Sequence, residues 1–546
     1  MQDAKAKANA ETSNGEADET VICHVAADGF EERMVPFPVP SGSYRDLAVV
    51  KDGVVWIEVA DRGGELGATR AGVTGEAPSD VLWHYNLSAR HLDKLCERVD
   101  TFSVSGDGER LVVRHRDDTI VVPSSHKVDD DDPAYIRVDL TRLRRTVNPR
   151  AEWRQMFDEN GRLMASHYWR EDMNGVDWDS VLNRYRPLVD LCHVVDDLHD
   201  ILWETVAELN TSHSYVSASG AAGDSDMRAG LLGADVSSGN DGAKVVRVIP
   251  GESSDPRAWS PLRAAGVAVT EGDVIVAVDG RKVGADGNLG ELLEGSAGRV
   301  VELTVRRGEN ERQVAVVPMA DEAPLRYHDW VASRRRYVEE HSGGRLGYLH
   351  VPDMVSDGWA ELHRQIGEAT RHEGVIADVR FNHGGHTSQL VVERLARRVV
   401  GWDYSRWYAT ADTYPQNAVR GPIVMVTNQW AGSDGDIVAA ATQAMGYAKV
   451  IGERSWGGVV GIDGRFDLVD GTSVTQPRYA GWYGSYGWGV ENHGVDPDIV
   501  VTVSPEDWEA DCDVQLDAAI AECLRQLDDK PAATAPELPG PAFDRC

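Results

Sequence analysis

The stretch that most narrows the possible folds is GPIVMVTNQWAGSDGDIVAAATQAMGY, from Gly421 to Tyr447. Pro422 to Thr427 is a short apolar run rich in β-branched residues, the pattern of a buried strand. Asn428 to Gly432 carries turn residues, and Ile437 to Tyr447 has the small, apolar composition of a buried helix. Ser433 therefore stands where a strand hands over to a helix. A hydroxyl there can project from a constrained turn, and the N–H groups of the first helical turn can receive an oxyanion. Ser433 or Asp434 can equally cap the helix. The local residues leave both readings open.

From about Arg345 the same alternation repeats. LGYLHV (346–351), GVIADVR (374–380) and AKVIGE (448–453) read as strands, and 357–372 and 387–401 as helices. The pattern predicts a largely parallel sheet with crossovers and a site beyond the strands' carboxyl ends. The Ser433 turn and the loop Phe381-Asn382-His383-Gly384-Gly385-His386 both fall there. The helix holding Arg334, Arg335 and Arg336 beside Glu339 and Glu340 reads as a solvated face.

A multidomain chain is expected at 546 residues. Residues 1–20 are polar and expected to be disordered. Residues 21–148 alternate short β-type runs with polar turns, among them the hairpin signal Ser105-Gly106-Asp107-Gly108 and the run YIRVDL (135–140). They predict a truncated, propeller-like all-β segment of two or three blades. Residues 149–219 read as a small helical domain, with Leu188, Leu191, Val195, Leu198 and Leu202 on one buried face. Its end is Asn210-Thr211-Ser212-His213. Residues 220–322 resemble a PDZ domain, through Gly230-Leu231-Leu232-Gly233 and the run GDVIVAVDG (272–280). Such domains hold a peptide carboxylate on glycine-loop N–H groups. Residues 323–510 form the α/β part, and 511–546 a helix followed by a Pro/Ala tail expected to be disordered.

The net charge of 55 − 89 = −34 argues against nucleic-acid or anionic-membrane partners. The 6 cysteines include no C-x-x-C pair, so neither a zinc ribbon nor a disulfide framework is indicated. The first twenty residues lack the apolar core of a signal peptide, and no apolar run is long enough to span a bilayer. A cytoplasmic location is the expectation.

Four motifs then occur in a telling order. They are Thr211-Ser212-His213-Ser214, DVRFNHGG (378–385), AGSDGD (431–436) and VENHGVDPD (490–498). Together with the PDZ-like segment they resemble the tail-specific (C-terminal-processing) protease superfamily, and within it the tricorn proteases, over roughly residues 149–510. The C-terminal-processing branch uses a lysine base in a G-x-R-T-x-G-K stretch. Here the corresponding segment, GERSWGG (452–458), ends in glycine, so the base comes from elsewhere.

The resemblance implies a serine peptidase acting on oligopeptides, with Ser433 as nucleophile and His213 as general base. It further implies that Glu491 holds Ser212, that Ser212 orients His213, and that the N–H groups of Gly385 and Asp434 form the oxyanion hole. Asp403 matches an acidic residue that favours basic P1 side chains from a neighbouring subunit. No metal or cofactor is implied. Hexameric assembly and aminopeptidase partners are further expectations, though the shortened β segment marks either a C-terminal fragment or a form with an open access path. Two readings compete: a non-catalytic PDZ-type peptide-binding scaffold, and a serine esterase. The second is disfavoured by the absence of a G-x-S-x-G elbow.

Overall fold

A computed structural model describes residues 37, 39–60, 79–116, 118–218, 227–284, 288–407, 409–463 and 466–538. The expected disordered segment 1–20, most of the linker at 218–226 and the last residues of the tail lie outside the described residues. The chain divides into two compact units, one comprising Met1–Asp61 with Ala77–Leu143, the other Arg62–Glu76 with Arg144–Cys546.

In the first unit, Tyr44–Val50, Gly53–Glu58, Val81–Asn86 and His91–Glu97 form an antiparallel meander. A second meander follows from Thr101–Val104, Arg110–His115, Asp118–Pro123 and Ile136–Arg137. Two-residue periodicity explains the core. In Arg110–His115 the alternate residues Leu111 and Val113 are buried, and they join Val55, Ile57 and Leu82 in one cluster. Each meander has the four-stranded form of a propeller blade. YIRVDL contributes only Ile136–Arg137 as strand, and a short 3-10 turn follows at Leu140–Arg142.

The second unit begins with three helices, Pro149–His167, Trp178–Val189 and Val195–Ala207. The expected single apolar stripe is corrected here. The chain breaks between the second and third helices, leaving Leu188 and Leu191 exposed while Leu198 and Leu202 are fully buried. The third helix restarts where the Asp197 carboxylate accepts the His193 and Val194 N–H groups, at 2.7 and 3.2 Å. The helical core also takes in Leu468 and Val474, from far along the sequence.

Residues 230–321 hold a six-stranded antiparallel sheet with Ala234–Gly239 at one edge. The Gly230–Gly233 loop is engaged by its own chain. The Gly230 N–H donates to Leu293 at 2.8 Å, and Leu231 and Met319 exchange N–H···O bonds at 2.8 and 2.9 Å.

The α/β part is a five-stranded, all-parallel sheet in the order Leu346–His350, Gly374–Asp378, Ile423–Thr427, Ala448–Gly452, Ile499–Val500. The first three strands are buried along their whole length, as expected of a sheet covered on both faces. One face packs against Ser356–Ala369, Ser388–Leu395 and Asp434–Met445. The other packs against Ala323–His341 and Val514–Asp529. The helix expected over 387–401 ends at Leu395, and a hairpin of Gly401–Asp403 and Asp412–Tyr414 follows. Two further expectations are corrected. Arg334 is no solvated side chain but pairs with Asp513 at 3.2 Å. The beginning of the tail docks back, the Ala533 N–H donating to the Arg420 carbonyl at 2.8 Å. Among the described residues no helix is long and apolar enough to cross a membrane.

Candidate active site

Ser433 ends the turn after Ile423–Thr427 and stands at the N-cap of Asp434–Met445, without using its side chain as a cap. Its backbone has φ +57°, ψ −117°, a region that costs a non-glycine residue about 1–3 kcal/mol. The capping reading is thus not the one realised. The hydroxyl stays half-buried at a strained turn, against the glycine loop that follows Gly374–Asp378. A Cβ on Gly384 would stand 2.6 Å from the Ser433 Cβ, and one on Gly385 would stand 2.2 Å from the Met354 carbonyl oxygen. Both glycines have positive φ, so no side chain fits either place. Met354 bridges Gly385 by donating to the Gly384 carbonyl (2.7 Å) and accepting from the His386 N–H (2.8 Å). That pattern turns the Gly385 N–H to the opposite side. The Asp434 N–H opens its helix and has no intrahelical acceptor.

His213 arrives from the helical segment. After Val195–Ala207 the chain turns and enters Val216–Ser217, which pairs antiparallel with Ser473–Val474. Thr475 tightens this seam, its hydroxyl donating to the His213 carbonyl and accepting the Tyr215 N–H. Trp456 and Tyr215 meet the imidazole edge to face, with centroids 5.7 Å away in each case. A Cβ on Gly432 would lie 2.8 Å from the same Trp456 ring. His213 and the Ser433 turn therefore border one indole.

A chain of hydrogen bonds backs His213. The Ser212 hydroxyl donates to Glu491 Oε2 at 3.0 Å and lies 3.0 Å from His213 Nδ1. A hydroxyl has one proton, and here it goes to the carboxylate. Nδ1 must then carry its own hydrogen and donate, which leaves the lone pair on Nε2. Glu491 is held in turn by the N–H groups of Ser212 (2.7 Å), Val459 (2.8 Å) and Val460 (3.1 Å). Burial pushes the His213 pKa below its ordinary value, against the raising effects of the Glu491 charge and a backbone hydrogen bond to Val460. The imidazole is accordingly neutral at neutral pH.

Asp436, to which the sequence assigns no role, completes the scaffold together with Trp456. Asp436 is fully buried beneath the Ser433 turn. It accepts hydrogen bonds from the Ser455 hydroxyl, the Gly457 N–H (2.8 Å), the Gly458 N–H (3.3 Å) and the Ser433 backbone. Burial still pushes its pKa up to about 6. It ties the Ser433 turn to the segment carrying Trp456. An acidic residue within an otherwise small and apolar helix was the available signal. Asp434 uses its carboxylate elsewhere, accepting the Ser388 N–H at 2.9 Å, and burial raises its pKa.

Asp403 stands apart, exposed on the hairpin and directly across from Asp412. Among the described residues no hydrogen bond or ion pair links it to the Ser433 turn, and no group of three His, Cys, Asp or Glu side chains could hold a metal ion.

A parallel α/β sheet with a serine at a strained strand-to-helix turn and a histidine backed by a Ser–Glu pair is the kind of framework serine peptidases use. The description Peptidase family S41 matches residues 345–501, Tricorn protease PDZ domain matches 230–321, and Tricorn protease C1 domain matches 149–207. The chain is 54% identical to Tricorn protease homolog 1 of Streptomyces coelicolor over 94% of its own length and 48% of that protein's. It is 34% identical to the tricorn protease of Thermoplasma acidophilum, over 91% of this chain and 46% of the other. The crystal structure of the tricorn protease superposes with a TM-score of 0.82 at 33% identity, covering 90% of this chain and 47% of that one. The chain belongs to the tricorn protease family, and it spans about half the length of the curated relatives it matches.

Proposed function

We propose that this chain is a serine peptidase that hydrolyses oligopeptides through an acyl-enzyme on Ser433. The observation that carries this reading is the Glu491–Ser212–His213 relay, which fixes the tautomer a general base needs. His213 Nε2 takes the Ser433 proton as the oxygen attacks the scissile carbonyl. The N–H groups of Gly385 and Asp434 receive the oxyanion, each such donor contributing about 10²–10³ in kcat. His213 then returns the proton to the leaving amine, and a water deprotonated by the same imidazole releases the acyl group.

Asp403 selects basic P1 side chains, and it does so in the cleft of a neighbouring copy within a homo-oligomer. Its cross-strand neighbour Asp412 supports this, since adjacent carboxylates repel each other and gain from a shared cation. Cleavage products pass to aminopeptidases in the cytoplasm. The scaffold alternative is weakened because the Gly230 and Leu231 N–H groups of that loop already donate within their own chain.

Fluorogenic peptides with Arg or Lys against Phe or Leu at P1 test the reading. Ser433→Ala and His213→Ala are each expected to lower kcat by about 10⁴ or more. Turnover by Ser433→Ala equal to that of the wild type ends it, and an unchanged basic preference in Asp403→Ala removes that residue's role.

A further inference from the structure

A cleft of about 570 Å³ opens beside the catalytic loops. It is built at the carboxyl ends of the central strands, with Phe381 beyond Gly374–Asp378, Trp430 beyond Ile423–Thr427, Glu453 beyond Ala448–Gly452, and Trp508 and Asp511 beyond Ile499–Val500. Trp430 and Trp508 are 63% and 79% exposed, an unusual display of indole surface.

The floor carries two guanidinium groups, but both are matched. Arg380 pairs with Asp378 at 2.7 Å and Asp513 at 2.8 Å, and Arg334 pairs with Asp513 at 3.2 Å. Two cations thus face two carboxylates in the floor. Glu453, Asp507 and Asp511 also line the cleft, and among the described residues no Lys or Arg pairs with any of them. The cleft therefore combines open indole faces with surplus negative charge, the combination that attracts a guanidinium or ammonium group.

Its position relates it to the reaction. Trp430 lies three residues before Ser433, and Phe381 three before Gly384, so each is within about 10 Å of its catalytic neighbour along the chain. An extended peptide advances roughly 3.3 Å per residue. We propose that this cleft is a recognition pocket for a basic side chain, Arg or Lys, carried by the peptide about three residues from the bond that Ser433 attacks. The inference rests on the peptidase reading for its substrate and is separate from the P1 role of Asp403.

The test uses the full chain carrying Ser433→Ala, which cannot acylate. Blocked Ala/Gly octapeptides with a single Lys walked along the sequence are titrated by calorimetry, each beside its Nε-acetyl-lysine twin. The expected result is one Lys position that binds about tenfold tighter than its twin. That advantage should fall towards unity in Trp430→Ala, Trp508→Ala and Glu453→Gln. Equal affinity for Lys and acetyl-lysine peptides at every position overturns the proposal, as does an advantage that all three variants leave intact. Self-association that Trp508→Ala abolishes, with no Lys advantage, also overturns it and makes this face a contact between copies. Failure of the wild type to cleave any peptide would count against the peptidase reading, while the binding measurement would still decide the pocket.

Discussion

As the proposed general base, His213 is tuned by what surrounds it. Because burial holds its pKa below the ordinary value of 6.5, the reactive neutral imidazole is lost only on acidification beyond that point. kcat/KM should rise with pH through a pKa below 6.5 and be flat by about pH 7, which a pH–rate profile checks. The Glu491 charge opposes the burial effect, so Glu491→Gln should move the acid limb further down while kcat falls. A loss of activity with no shift of the limb would mark Glu491 as a structural residue only. Ser212→Ala removes the acceptor for the Nδ1 hydrogen and should lower kcat by about 10²–10⁴ with little change in KM. Gly384→Ala places a methyl group against the Ser433 Cβ at positive φ. It should abolish turnover and cost about 1–3 kcal/mol in denaturant unfolding.

At the scale of elements, Asp436 joins the Asp434–Met445 helix to the segment bearing Trp456. Its folded pKa of about 6 lies above the unfolded value of 3.8. The folded state thus holds a proton that the unfolded chain has released, and this contribution to stability is lost as pH rises from about 4 to about 6. Relative to Asp436→Asn, the wild type should lose up to roughly 3 kcal/mol across that window in parallel urea titrations. An unchanging difference would place the carboxyl in a more polar setting. The same elements mark how much could be read from residue order. The strand, turn and helix around Ser433 were legible because each is encoded locally by apolar period and turn residues. So was the parallel sheet, from its alternation. The break at Asp190–Val194 was not, because Leu188 and Leu191 keep helical spacing although no partner covers them. The Glu491–Ser212 contact joins residues 279 positions apart, and only resemblance to a family pointed to it. Asp436 carried a signal only in being acidic within a small, apolar helix, while its partners Ser455, Gly457 and Gly458 and the Trp456–His213 contact are not encoded locally.

On the scale of the whole molecule, His213 and Ser433, the proposed base and nucleophile, come from different parts of the second unit. Leu468 and Val474 are buried among the three helices that lead to His213. Leu468→Ala should lower stability by about 2–5 kcal/mol in thermal or denaturant unfolding. It should reduce kcat more than it weakens peptide binding. The backbone ladder between Val216–Ser217 and Ser473–Val474 is only two residues long on each side. Amide protons along it should trade with deuterium well before those of Ile423–Thr427. Mild urea would then silence the chain while its far-ultraviolet spectrum stayed native, so that activity reports the closing of a small clasp rather than the survival of the globule.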